Sequence, residues 1–260
     1  MPTASVNGIS IAYSDTGNGP AVVLSHGLLM DSSMFDPQVA ALASAYRVIT
    51  WDQRGFGSTR ASAPFSYWDS ASDVLGLLDH LGIDQAVLGG MSQGGFLSLR
   101  AALLAPERIR ALILIDSQAG VEDPAVAPAY EQIEQTWMEH GPAPVQDIVA
   151  AIILGPPDGP VSYEPWFAKW AAADRDEFRL AFRCLMDRDD VTGRLGEISC
   201  PALILHGTAD AAIPMAKAEA VRDGLSGPAT LVQVEGGSHA SNLSHPEQVN
   251  AAILDFLRAL

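Results

Sequence analysis

Six short runs are apolar almost end to end: Ala21 to Leu24, Arg47 to Trp51, Ala86 to Gly89, Ala111 to Ile115, Ala202 to Leu205 and Thr230 to Val234. A strand with one wet face alternates apolar and polar residues, so runs without alternation predict strands buried on both faces. Between them, Asp69 to Leu81, Gly94 to Leu104, Pro214 to Gly224 and Pro246 to Leu260 carry apolar residues at helical spacing, and the last opens on a proline in its first turn. Strands alternating with helices predict an α/β chain: a doubly wound, mostly parallel sheet with helices on both faces, joined by right-handed crossovers. Ser5-Val6 and Ile9 to Tyr13, separated by Asn7-Gly8, predict an antiparallel hairpin at one edge.

The alternation stops between Val121 and Gly196, where eight prolines fall between Pro124 and Pro165 and helices follow one another without a strand. This predicts a helical cap of residues 121–196 over the carboxyl ends of the strands, inserted into a core domain of residues 1–120 and 197–260. At 260 residues, with 48% hydrophobic and 18% charged residues, the chain can bury a full core. A net charge of −16 disfavours nucleic acid and anionic lipid as partners. The longest apolar run, Ile148 to Leu154, is too short to cross a bilayer, and the N-terminus lacks a signal-peptide pattern. Cys184 and Cys200 match no metal spacing and form no disulfide framework. These features together predict a cytoplasmic protein without a cysteine metal site, and they leave the oligomeric state open.

Gly90-Met91-Ser92-Gln93-Gly94 falls between a predicted strand and a predicted helix. A serine on so tight a turn is forced into an unfavourable backbone conformation, and glycines two residues either side remove the clashes that would follow. Ser92 is therefore the candidate nucleophile. A serine hydroxyl needs a base. Of the six histidines, His239 lies in the turn Gly236-Gly237-Ser238-His239 between the last strand and the last helix, from which its ring can reach across the strand ends. His26 and His206 each precede a glycine and suit loop anchoring, His80 lies in a helix and His140 in the cap, and His245 is placed to cap the final helix. A carboxylate must hold the histidine's tautomer. Asp210, just past the strand Ala202 to Leu205, is preferred to Asp116; Asp52 is third, expected to pair with Arg54 and stiffen its loop. The oxyanion donors are expected to be the backbone N–H groups of Gln93, which opens a helix, and of Leu28 in His26-Gly27-Leu28.

With these residues in order, Ser, Asp and His, the chain resembles the α/β-hydrolases over essentially its whole length: His26-Gly27, Asp52-x-Arg54-Gly55-x-Gly57-x-Ser58, the Gly90-x-Ser92-x-Gly94 elbow, His206-Gly207-x-x-Asp210 and Gly237-Ser238-His239. The resemblance implies a cofactor-free serine hydrolase with a cap domain, similar to the small-molecule esterase and lactonase branch that includes enol-lactonases and carbon–carbon bond hydrolases. Two positions depart from those relatives. Gln93 stands where enol-lactonases often have Met, and Ala240 stands where carbon–carbon hydrolases usually have Trp.

The substrate expectation rests on the cap, which holds 14 acidic and 6 basic residues. It predicts a small neutral ester or lactone, bound between Leu28, Leu29 and Met91 below and Trp137 and Trp166 above. Three alternatives stand beside it: an aminopeptidase similar to proline iminopeptidases, with Glu131, Glu134 or Glu164 holding the substrate's amine; a carbon–carbon hydrolase; and a ligand receptor on the same fold with minimal turnover. Arg175, Arg179 and Arg183 recur every four residues and are expected to form a solvated stripe, with Arg183 paired to Asp187.

Overall fold

In a computed structural model, which describes residues 1–260, eight strands form one sheet. The core strands are β1 (Thr3–Val6), β2 (Ile9–Thr16), β3 (Ala21–Ser25), β4 (Arg47–Trp51), β5 (Ala86–Met91), β6 (Ile109–Ile115), β7 (Ala202–Gly207) and β8 (Ala229–Val234). Their spatial order is β1-β2-β4-β3-β5-β6-β7-β8. β1 and β2 pair antiparallel across the Asn7-Gly8 turn, where both residues have positive φ, and β2 is antiparallel to β4. Every later pairing is parallel. The predicted doubly wound, mostly parallel sheet is therefore present.

The two faces are assembled by alternation within each strand. Val23, Ile49, Leu88, Leu112, Leu114 and Ile204 enter one apolar core. Their neighbours Val22, Leu24, Val48, Val87, Ile113 and Leu203 enter the other. Helices α1 (Asp36–Leu42), α2 (Tyr67–His80) and α3 (Gln93–Leu104) precede β6. α1 lies against the second core, α2 and α3 against the first. A capping box fixes the start of α2, Ser66 Oγ facing the Asp69 N–H and the Asp69 carboxylate accepting from the Ser66 N–H, so this helix begins two residues before the periodic stretch that predicts it. α1, seven residues long, has too short a period to be legible in sequence.

Between β6 and β7 the chain makes α4 (Ala127–His140), α5 (Gln146–Leu154), α6 (Glu164–Ala172) and α7 (Arg175–Met186). α8 (Met215–Gly224), α9 (Ser241–Ser244) and α10 (Pro246–Arg258) complete the fold. One strand departs from expectation. β8, predicted to be buried on both faces, is an edge strand in which only Val234 is fully buried, because no ninth strand flanks it. No helix is long and apolar enough to cross a membrane.

The chain leaves β3 towards β4 on one side and later returns to place β5 on the other. Such a reversal opens a crevice at the carboxyl ends of the flanking strands. Both Ser25 to Leu28 and Ser92 sit at that point.

Candidate active site

Ser92 stands at the end of β5 and caps α3, with φ 51° and ψ −114°. This left-handed conformation is costly for a residue with a side chain and is held by its surroundings. The Ser92 N–H donates to Ile115 O (2.9 Å), and its carbonyl accepts from the Gly95 N–H (2.8 Å) and from Ser117 Oγ (2.8 Å). A Cβ on Gly90 would lie 2.0 Å from the Gly94 carbonyl carbon, and one on Gly94 would lie 1.9 Å from Ser25 O. Only hydrogen fits at either place, which is the steric reason for the glycines around the serine.

His239 follows β8 in the turn before α9. Its Nδ1 is 2.9 Å from Asp210 Oδ2. A carboxylate accepts, so Nδ1 carries the hydrogen and Nε2 is left bare as an acceptor. Burial opposes a charged His239, but the Asp210 charge and hydrogen bond outweigh it and hold the imidazole pKa above its ordinary value. Asp210 is held in turn by the N–H groups of Ala212 (2.8 Å) and Ile213 (2.9 Å) on Oδ1. Burial would raise its pKa; the His239 charge and these bonds keep it below the ordinary carboxylate range.

Asp116, the rival acid, is fully buried but takes a different place. Its Oδ1 accepts from the Gly207 N–H (2.7 Å) and its Oδ2 from the Ser241 N–H (3.0 Å). It thus ties the loop carrying Asp210 to the loop carrying His239. Burial, and then the nearby Asp210 charge, push its pKa up to about 7. Asp116, His206 and Asp210 form the one cluster with metal-ligand chemistry, their ligating atoms lying within 4.8 Å of one another. Each is committed to these loops: His206 Nε2 donates to Ile213 O (2.8 Å), and Asp210 serves His239.

At the other wall of the crevice, Leu28 and Leu29 reach the cavity beside Ser92 and His239. The Leu28 N–H makes no hydrogen bond within the protein, and that of Gln93, first in α3, has no intrahelical acceptor. Leu29 has φ 62°, and its carbonyl accepts from Trp170 Nε1 at 2.7 Å, which pins this turn from α6. A buried polar relay underlies the two walls. Gln53 Nε2 donates to His26 O (2.6 Å), Gln93 Nε2 to Gln53 Oε1 (3.2 Å) and Tyr67 Oη to Gln93 Oε1 (3.2 Å). The Gln53 N–H also donates to His26 Nε2 (2.9 Å), so His26 anchors a loop as its position predicts. Sequence reasoning missed the side-chain roles of Gln53, Tyr67 and Gln93, since nothing in their spacing brings 53, 67 and 93 together.

The cavity above Ser92 measures about 70 Å³. Leu28, Leu29 and Met91 line it, together with Tyr130, Ile133, Val149, Ile152, Ile153 and Phe182. Trp137 and Trp166 do not. Trp137 stacks on Phe178 with centroids 4.4 Å apart, and Trp166 lies under the Lys169 ammonium at 4.4 Å. The Trp137 indole joins α4 to α7, the Trp166 contact lies within α6, and the smaller aliphatic side chains of α5 line the cavity beside the serine. The carboxylates expected to bind an amine are likewise elsewhere: Glu134 is paired with Arg183, and Glu164 accepts from Ser162 Oγ (2.6 Å). Arg179 pairs with Asp176, and Arg175 donates to Met138 O, so the arginine stripe turns away from the cavity. Arg183 meets Glu134 rather than Asp187, because α4 packs alongside α7. Two smaller expectations also fail. Arg54 pairs with Asp73 (2.8 Å) while Asp52 accepts from the N–H groups of Ser32 and Ser58. His245 occupies the N-cap position of α10, but its side chain makes no capping bond and meets Ser244 Oγ instead.

Comparison with known proteins agrees with this geometry. The family described as "alpha/beta hydrolase fold" matches residues 20–246. The chain is 26% identical to 3-oxoadipate enol-lactonase 1 of Acinetobacter baylyi, over 97% of this chain and 94% of that protein. A thermophilic esterase from Thermogutta terrifontis superposes with a TM-score of 0.90 at 28% identity, covering 99% of this chain and 97% of the other. The enol-lactonase from Burkholderia xenovorans LB400 also superposes at 0.90, with 29% identity and coverage of 99% and 100%.

Proposed function

The chain belongs to the α/β-hydrolase family, and from that premise we propose that it is a serine hydrolase cleaving small neutral carboxylic esters or lactones through an acyl-enzyme on Ser92. The observation that carries this reading is the 2.9 Å contact of His239 Nδ1 with Asp210, in a histidine that shares one apolar cavity with Ser92. His239 Nε2 takes the proton of Ser92 Oγ as the oxygen attacks the acyl carbon. The Leu28 and Gln93 N–H groups receive the oxyanion, and the imidazolium, stabilised by Asp210, returns the proton to the leaving alkoxide. Water, activated by the same nitrogen, then releases the acid. In a lactone both products remain one molecule.

Residues 121–196 act as the cap in this reading, and α5 supplies the cavity's upper wall. A cavity enclosed between Leu28, Leu29 and Met91 and the aliphatic side chains of α5 favours small apolar acyl groups over polymers and long-chain fats. Enol-lactonase and esterase relatives at 26% to 29% identity support the ester and lactone class. The test is sustained turnover across a panel of acyl lengths and lactone ring sizes, with aminoacyl anilides alongside. Short esters or lactones should be turned over many times. Activity confined to anilides, or highest on long-chain triglycerides, would overturn the substrate class, and a single stoichiometric event would favour a receptor.

A further inference from the structure

The cavity holds one carboxylate that ester hydrolysis does not require. Twelve of its fifteen lining residues are hydrophobic, and the other three are Ser92, His239 and Glu122. Glu122 lies between β6 and α4 with its side chain 13% exposed, and its Oε1 accepts from Arg188 Nη2 at 2.9 Å. Arg188 is buried and fully engaged. Its Nε donates to Gly120 O (3.0 Å), its Nη1 to Leu185 O (2.8 Å), and its guanidinium carbon lies 4.6 Å from the Phe96 ring centre. The ion pair is thus a fixed, charge-balanced part of the wall. Glu122 Oε2, by contrast, accepts no hydrogen bond from the protein.

Tyr130 lines the same cavity, and its hydroxyl also has no protein partner. Burial, and then the Glu122 charge, push its pKa up to about 12, so it remains a donor at neutral pH. Both residues line this otherwise apolar space, and neither Glu122 Oε2 nor the Tyr130 hydroxyl is bonded elsewhere in the protein. Enclosing an apolar substrate there leaves both unpaired, at about 1–3 kcal/mol for each group cut off from water.

We propose that Glu122 and Tyr130 are specificity-determining residues that select a substrate bearing a hydroxyl group on its enclosed portion, a hydroxyacyl ester or hydroxylactone. The proposal rests on the serine-hydrolase reading above. A hydroxyl matches both groups, donating to Oε2 and accepting from the phenol. An ammonium donates but cannot accept, and the charge it would meet is already balanced by Arg188. A carboxylate accepts but cannot donate, so it leaves Oε2 without a partner.

The experiment compares kcat/KM for phenyl butyrate, its 2- and 3-hydroxy derivatives, phenyl 3-aminobutyrate and monophenyl succinate, each divided by its hydroxide-catalysed rate. The better hydroxy ester should exceed the plain ester by roughly 10- to 100-fold. Glu122→Gln keeps an acceptor for Arg188 but can present N–H where Oε2 accepted, and Tyr130→Phe removes the phenol without touching the ion pair. Each should reduce the preference at least about fivefold, and Tyr130→Phe gives the answer even if Glu122→Gln fails to fold. Hydrolysis of the panel with a hydroxy preference under threefold, a larger preference for the amino or carboxylate member, or a preference intact in both variants overturns this inference and leaves the hydrolase reading standing. No hydrolysis of any ester overturns both.

Discussion

Replacing Gly94 by alanine tests whether the elbow and the oxyanion wall are one mechanical unit. The added Cβ would lie 1.9 Å from Ser25 O, 2.6 Å from the Ser25 carbonyl carbon and 3.1 Å from His26 O. Ordinary contact begins near 3.4 Å, so β3 and α3 must part by about 1.5 Å. All three obstructing atoms are backbone, and no rotamer change relieves them. Ser25 and His26 lead directly into the Leu28 N–H, while Gly94 follows Gln93, so the separation falls between the two proposed oxyanion donors. Losing one such donor costs about 10²–10³ in kcat, and overpacking costs about 1–3 kcal/mol of stability. The assay is steady-state hydrolysis of a short ester, with thermal denaturation to establish folding. Gly94→Ala should lower kcat by roughly 100-fold or more while changing KM little, since the missing interaction belongs to the transition state. Gly95→Ala is the control. Its Cβ would lie 2.2 Å from Ser117 Oγ and 2.6 Å from Ser117 Cβ, so it also forces a shift and loosens the Ser117 bond to the Ser92 carbonyl, but the strain falls away from β3 and the Leu28 N–H, so its kcat should fall less than that of Gly94→Ala. A folded Gly94→Ala enzyme with more than a third of the parental kcat would refute the argument.

Three further outcomes follow from the site. The acid limb of kcat/KM should fall with an apparent pKa above that of an ordinary imidazole, because Asp210 stabilises His239 in its charged, inactive form; Asp210→Asn should move that limb to lower pH and cut kcat by about 10⁴-fold, and an unmoved limb would assign it to another group. Asp116→Asn should cost about 1–3 kcal/mol in denaturant unfolding, since an amide accepts only one of the two N–H groups that Asp116 binds, yet lower kcat less than tenfold because the His239–Asp210 contact is untouched. Trp137→Ala should cost about 3–5 kcal/mol of stability, as expected for a fully buried indole stacked on Phe178, with no change in acyl-length preference; a shifted preference at unchanged stability would return Trp137 to the cavity wall.

The sheet was legible because burial on two faces leaves a local mark, and each of the six apolar runs coincides with an observed strand. The elbow was legible for a similar reason, since the steric demand on Gly90 and Gly94 is written within five residues. Contacts across the chain were not. The Gln53–Gln93–Tyr67 relay joins three separate elements, and Glu134 takes Arg183 from Asp187 only because α4 lies beside α7. The aromatic residues of the insertion misled because an indole can serve a cavity or a helix interface equally well. Trp137 serves the interface, and the aliphatic face of α5, which carries no distinctive signal, serves the cavity. Glu122 was hidden among 14 acidic residues of the same stretch, distinguished only by where its loop folds.

The central claim is that Ser92 forms the covalent intermediate, and it is tested most directly by mixing the enzyme with a short activated ester, quenching in acid within one turnover and mapping the acyl mass by peptide sequencing. One acyl group per chain is expected on Ser92, and none in Ser92→Ala. Turnover accompanied by an acyl group on another residue, or sustained hydrolysis by Ser92→Ala at more than a tenth of the parental rate, would contradict it.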